Sequence, residues 1–145
     1  MPAIDVGSDA SVALKSFHAE GDEEIDSARA LLDLHTQRAI ALFVLDVTSY
    51  EIGNALLRGR PHIAADRVAA VLHGLGDICP RVSLSTVELA EAAALTEHHD
   101  LTLYDAANGA AARSRGAQLA TLDKALLRSC LGRRPSEIVA GLAIG

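Results

Sequence analysis

Asp9, Glu51, Asp105 and Asp123 stand far apart along this 145-residue chain, yet each lies where an apolar, strand-like stretch gives way to a helix-like one. In an open α/β sheet the carboxyl ends of the strands frame the crevice where ligands bind, so acids at distant strand-to-helix junctions converge there. Carboxylates crowded into one pocket do not all stay ionised without a cation between them. A hard divalent ion with oxygen ligands, Mg2+ or Mn2+, answers that repulsion, and such a cage usually works on phosphate. The expected chemistry is attack of an activated water on a phosphodiester.

Neighbouring residues extend the pattern. Ser11, two residues after Asp9, is placed to hold that carboxylate or a water beside it; the alternative is a helix cap, with Asp9 as N-cap and Ser11 exposed. Asn54 and Arg58 follow Glu51 at i+3 and i+7 and so share its helix face. Asn54 could orient Glu51, and Arg58 could meet a phosphate, or both could belong to a solvated polar edge. Asp105 and Asp123 each open a helix, where an acid also suits the dipole. Lys15 and Lys124 follow the first and last acids, as phosphate contacts or as solubilising charges.

The elements that must position these groups alternate. Strands are expected at Ile4 to Ser8, Ala41 to Leu45, Ile78 to Leu84 and Gln118 to Thr121. Pro80 suits an edge or entry position in the third. Helices are expected from Ser11 to Phe17, from an acidic first turn at Asp22, Glu23 and Glu24 to about Gln37, and from an Asp46 or Thr48 cap to Gly59. A further helix runs from Ile63 to Leu75, with Gly74 and Gly76 marking its end. Ser85 with Glu88 three residues on has capping-box spacing for a helix to about His98. Asp105 to Arg115 and Asp123 to Cys130 complete the set. Short strands alternating with helices indicate a parallel, helix-covered α/β sheet in one domain, residues 1–145, with a C-terminal tail from about 132 to 145.

Composition narrows the function classes. Half the residues are apolar, and the longest apolar run, Ala39 to Leu45, falls well short of the ~20 residues that span a bilayer, so no membrane partner is expected. The acidic N-terminal stretch with Asp5 and Asp9 has no basic n-region of a secretory signal, which places the protein in the cytoplasm. Cys79 and Cys130 form no CxxC pair and read as reduced packing thiols; the six His have no metal-ligand spacing and read as surface residues. GxSxG, GxxxxGK(S/T) and GxGxxG are absent. Phe17, Phe43, Tyr50 and Tyr104 are the only aromatics, so stacking platforms for single-stranded bases look scarce. The net charge of −6 opposes a nucleic-acid partner, but from Leu101 onward six cations face three acids, leaving +3.

The segments Asp9-Ala10-Ser11-Val12-Ala13-Leu14-Lys15, Tyr50-Glu51-Ile52-Gly53-Asn54-Ala55-Leu56, Leu103-Tyr104-Asp105-Ala106-Ala107 and Ala120-Thr121-Leu122-Asp123 resemble, in order, the four acidic motifs of the PIN domain. They are most similar to those of VapC toxins from bacterial toxin-antitoxin pairs, and the match runs from residue 9 to about 127. It departs at Gly7 and Ser8, where strand-forming apolar residues are usual, at Asn108 and Gly109, and at Ser16. None of these removes a carboxylate. The resemblance implies a three-layer α/β/α fold with a mostly parallel sheet of four to five short strands. It implies a Mg2+- or Mn2+-dependent endoribonuclease with Asp9, Glu51, Asp105 and Asp123 as catalytic metal ligands. Ser11, Asn54, Thr121 and Arg58 would support them or touch substrate. A homodimer, a small cognate antitoxin and an RNA substrate whose cleavage halts translation are implied as well. Two other classes stay open: a PIN-like module that binds RNA or protein without cutting, and a phosphatase or phospho-acceptor domain, which also gathers Asp at strand ends.

Overall fold

The computed structural model describes residues 3–17, 24–59 and 61–144. In chain order the elements are β1 (Ile4–Ser8), α1 (Ala10–Phe17), α2 (Ile25–Thr36), β2 (Ile40–Leu45), α3 (Asp46–Arg58) and α4 (Ala65–Ile78). They continue with β3 (Arg81–Val82), α5 (Thr86–His98), α6 (Leu103–Ser114), β4 (Gln118–Ala120), α7 (Lys124–Arg128) and α8 (Pro135–Ile144). The four strands form one sheet in the order β3-β2-β1-β4, and every pairing is parallel. Arg133 adds a one-residue parallel bridge to Ala120 beyond β4.

β2 shows why three layers form. Its sequence IALFVL is almost continuously apolar, as a strand covered on both faces must be. Ile40, Leu42 and Val44 turn to a core shared with Val12, Leu31 and Ile52; Leu75 and Ile138 also belong to it. Phe43 and Leu45 turn the other way, onto Ala92, Leu95, Ala106 and Ala110 of α5 and α6. The small side chains of α6 let it lie close on the sheet, and Ala106, Ala110 and Ala111 are fully buried. Gly7 in β1 follows from the same packing: a Cβ there would sit 3.0 Å from the Phe43 ring.

Several sequence expectations change. The third strand shrinks to Arg81–Val82, an edge pair against Val44 and Leu45, with Pro80 contributing only its carbonyl to the Val44 N–H. α4 passes through Gly74 and Gly76 and ends at Ile78, because Leu75 between them is a core residue. α3 begins at Asp46 itself behind an N-cap Leu45 that supplies no side-chain bond, and the Thr48 hydroxyl, fully buried, has no partner. α6 starts at Leu103 behind Thr102, so Asp105 is its third residue and follows no strand. α7 ends at Arg128, before Cys130.

Asp22 and Glu23 lie outside the described residues. Glu24 is buried and serves the far end of the chain: its carboxylate accepts the Ser136 N–H at 3.0 Å and hydroxyl at 2.7 Å. The segment from about 132 thus carries α8, whose Ile138 is 1 % exposed in the core. Cys130 is exposed rather than packed, whereas Cys79 is buried and its thiol is pushed up to about 11 by burial. His35 is half-buried and structurally engaged: Nδ1 accepts the Leu42 N–H at 3.1 Å and the other nitrogen meets the Ile78 carbonyl at 2.7 Å. It occupies the open side of β2 where β3 is too short to reach.

Candidate active site

β1 is flanked by β2 on one side and β4 on the other, so the chain reverses its direction of travel across the sheet beside β1. Such a reversal opens a crevice at the carboxyl ends of the strands. Asp9 is the first residue beyond β1 and is 5 % exposed. Its carboxylate is tied to both neighbouring segments. Ser11 Oγ donates to Oδ1 at 2.5 Å, the Val12 N–H reaches the same oxygen at 3.3 Å, and the Thr121 hydroxyl donates to Oδ2.

Ser11 and Thr121 lock the two strand ends together. Ser11 Oγ accepts the Leu122 N–H at 2.9 Å while donating to Asp9. Thr121 Oγ1 accepts the Asp123 N–H at 3.0 Å while donating to Asp9. Asp123 caps α7 through Oδ1, which accepts the Leu126 N–H at 3.0 Å. A cap and a ligand are compatible here, since a carboxylate has further lone pairs.

Charge joins the four acids. Burial, opposed by the bonds from Ser11, Thr121 and Val12, raises the Asp9 carboxyl above its usual range, and the Asp105 charge adds to the rise. Glu51 is raised by burial, then by Asp105 and by Asp9. Asp105 is raised by burial and by Asp123, with the Thr102 hydroxyl opposing. All four sequence-predicted acids therefore share one electrostatic neighbourhood, with Asp105 at its centre.

The supporting residues divide. Ser11 and Thr121 are bound to Asp9 as described. Asn54 and Arg58 are exposed and bond to each other, Arg58 Nε donating to Asn54 Oδ1 at 3.1 Å. That is the solvated-edge arrangement, one helix turn from Glu51. Sequence reasoning missed Thr102, the N-cap of α6, whose Oγ1 accepts the Asp105 N–H at 3.2 Å. The Thr-x-x-Asp spacing was its signal. It also missed Asn108, buried in α6, which donates to the Tyr104 carbonyl at 3.1 Å and steadies the turn bearing Asp105.

Among the described residues, no three His, Cys, Asp or Glu side chains stand close enough together to hold a metal ion as they lie. The donor chemistry nonetheless fits a hard divalent cation. Every candidate ligand is a carboxylate oxygen, and Glu51 Oε1 is buried without a hydrogen-bond partner. An orphaned buried acceptor beside two raised carboxyls is satisfied by a cation.

The PIN domain is the family whose pattern matches the chain, over residues 8–130. No curated protein matches it significantly. Among solved structures it is similar to PAE2754 from Pyrobaculum aerophilum, with 25% identity, TM-score 0.68 and coverage of 99% of both chains. It is also similar to VapC20 of Mycobacterium tuberculosis, described as a sarcin-ricin loop cleaving toxin, with 18% identity, TM-score 0.65 and coverage of 86% of this chain and 94% of that one. A third is VapBC2 from Rickettsia felis, bound to a fragment of its promoter DNA, with 10% identity, TM-score 0.68 and coverage of 87% and 92%.

Proposed function

From the premise that this chain belongs to the PIN-domain family, we propose that it is a metal-dependent endoribonuclease acting as the toxin of a toxin-antitoxin pair. The observation that carries this reading is the buried Asp9 carboxylate, pinned between β1 and β4 and coupled by charge to Glu51, Asp105 and Asp123. The likeness to VapC20 and VapBC2 supports the toxin assignment.

Asp9, Glu51, Asp105 and Asp123 would hold Mg2+ or Mn2+, which lowers the pKa of a water and offsets charge on the attacked phosphate. Asp9 is the fixed member, since three donors hold its two oxygens before any ligand arrives. Glu51 Oε1 is buried without a hydrogen-bond partner and so keeps its lone pairs for a cation. Asp105, half-buried at the start of α6, is the acid whose charge acts on both Asp9 and Glu51. Lys124, exposed at the head of α7, would meet a backbone phosphate beyond Asp123, and Arg58 would do so only by giving up its bond to Asn54. A homodimer, a small antitoxin and a cytoplasmic RNA substrate complete the proposal. No helix among the described residues is long and apolar enough to cross a membrane.

The second reading is a PIN-like module that binds RNA or protein without cutting. That no three acids among the described residues are grouped to hold an ion as they lie favours it. One experiment separates the two. Purified protein is incubated with structured and single-stranded RNA in Mg2+, in Mn2+ and in chelator, beside Asp9→Asn and Asp105→Asn. Cleavage that needs metal and both aspartates supports the nuclease. Intact RNA with folded, metal-saturated protein supports the binding module.

A further inference from the structure

Beside the acids, at the carboxyl end of β2, lies a cleft of about 270 Å3 between the first turns of α3, α5 and α6. Tyr104 and Leu103 wall one side, and Val47, Leu84 and Leu89 the others. Asp46 lies at its polar end, where it accepts the Ser83 hydroxyl on Oδ2 at 2.7 Å and the Val47 N–H on Oδ1 at 2.8 Å. Resting on the nuclease reading, we propose that this cleft is a subsite for one unpaired guanine of the RNA, stacked on Tyr104 and hydrogen-bonded by Asp46.

Size, chemistry and place agree. The volume is just under the ~300–1,000 Å3 of pockets for drug-sized ligands, which suits a single planar base rather than a longer stretch of RNA. Tyr104 is 57 % exposed, and every base offers a face to an aromatic ring. Each Asp46 oxygen has one lone pair engaged and another to give, so the carboxylate offers two acceptors side by side. Guanine alone among the four bases presents two adjacent donors, N1–H and the 2-amino group, on its pairing edge. An apolar protein segment laid over the cleft would bury that charged carboxylate with its remaining lone pairs unmet, which is costly.

The place ties the subsite to the acids. Tyr104 immediately precedes Asp105, their α-carbons about 3.8 Å apart, and Asn108 holds the turn that carries both. A base seated on Tyr104 would lie one helix position from Asp105, within a nucleotide's reach of a phosphate at that acid. Unstacked bases are what single-stranded loops offer a protein, so the predicted substrate is an unpaired segment containing guanine.

Tyr50 and Tyr104 are the only tyrosines, so the tyrosine ring carbons and protons in an NMR spectrum belong to two residues. The full-length protein, metal-free, is titrated with GMP, AMP, CMP and UMP. The expected result is a saturable shift of the Tyr104 ring with GMP at the lowest concentration, weakened at least about fivefold in Tyr104→Leu, read from backbone amides near Asp46. In Asp46→Asn the preference for GMP over AMP is lost, while Tyr50→Phe leaves it intact. Equal response to all four nucleotides, a shift confined to Tyr50, or no shift overturns the proposal. So does a Tyr104 shift that follows protein concentration alone, which would show a second copy filling the cleft. Nucleotide binding needs no cleavage, so its loss and the loss of nuclease activity are separate results.

Discussion

Glu88 joins α5 to the end of α6, and removing its charge tests whether electrostatics fixes how these helices dock. Its Oε1 accepts the Ser85 N–H at 3.0 Å and completes a capping box. Its Oε2 takes the Ser114 hydroxyl at 2.6 Å and Arg115 Nη1 at 2.5 Å. Arg115 in turn lies 5.5 Å from the centroid of the Phe43 ring on β2. The Ser114 and Ser85 bonds, followed by Arg115, hold the Glu88 carboxyl down to about 2 from an ordinary 4.5.

At about 1.36 kcal/mol per pKa unit, that drop from 4.5 to about 2 is worth at most ~3.4 kcal/mol. Solvent screening around a pair with side chains 28 % and 13 % exposed reduces it to about 1–2 kcal/mol. Glu88→Gln keeps the capping oxygen but turns an amide N–H2 toward two donors, so it loses both links to α6. The sign follows from the depressed pKa: the stabilisation is complete above pH 4.5 and is lost as pH falls toward about 2. Thermal unfolding of wild type and Glu88→Gln at pH 7 should differ by about 3–8 °C, and the gap should narrow progressively between pH 4.5 and pH 2.5. A gap of equal size at pH 7 and pH 3, or none at pH 7, would refute the reasoning.

Asp9→Asn should abolish metal-dependent RNA cleavage while leaving the midpoint unchanged or up to about 4 °C higher, because burial and Asp105 oppose the wild-type charge. Since the folded-state pKa is raised, that advantage should shrink on acidification; unfolding at neutral pH would instead make Asp9 a structural residue. Glu51→Gln should weaken Mn2+ binding in calorimetry by about tenfold or more, and an unchanged affinity would remove Glu51 from the ligand set. Gly132→Ala would drive a methyl to 2.4 Å from Thr121 Cγ2, so it should cost about 1–3 kcal/mol in urea unfolding and reduce cleavage. Gly74→Ala meets nothing within 4 Å inside α4 and should stabilise by about 0.5–1 kcal/mol; a loss there would contradict the packing.

The sequence was most legible where local pattern and burial agree. β2 reads directly because both of its faces are covered, and α5 because Ser85 and Glu88 form the cap their spacing promises. It misled where tertiary contacts outweigh local preference. Gly74 and Gly76 looked like a stop, but Leu75 anchors α4 in the core and the helix continues past both. The third strand was read too long because only Arg81 and Val82 find partners on β2. Asp105 is expected at a strand-to-helix junction but lies in the first turn of α6, from which its charge reaches Asp9 and Glu51. Asn54 and Arg58 share the expected helix side but bond to each other, a choice that spacing alone does not disclose.

The Thr121 hydroxyl that holds Asp9 is 112 positions further along the chain. At ~5–20 residues per second, a ribosome needs roughly 6–22 s to travel from one to the other. Throughout that interval Asp9 lacks its Thr121 contact and Ser11 its Leu122 contact, the two bonds that join this strand end to the segment after β4. The order of synthesis itself therefore withholds the assembled pocket until Thr121 has been made. For a protein whose proposed target is the cell's own RNA, a growing chain carries no complete site until β4 and Thr121 are made, which leaves an inhibitor already present time to meet it.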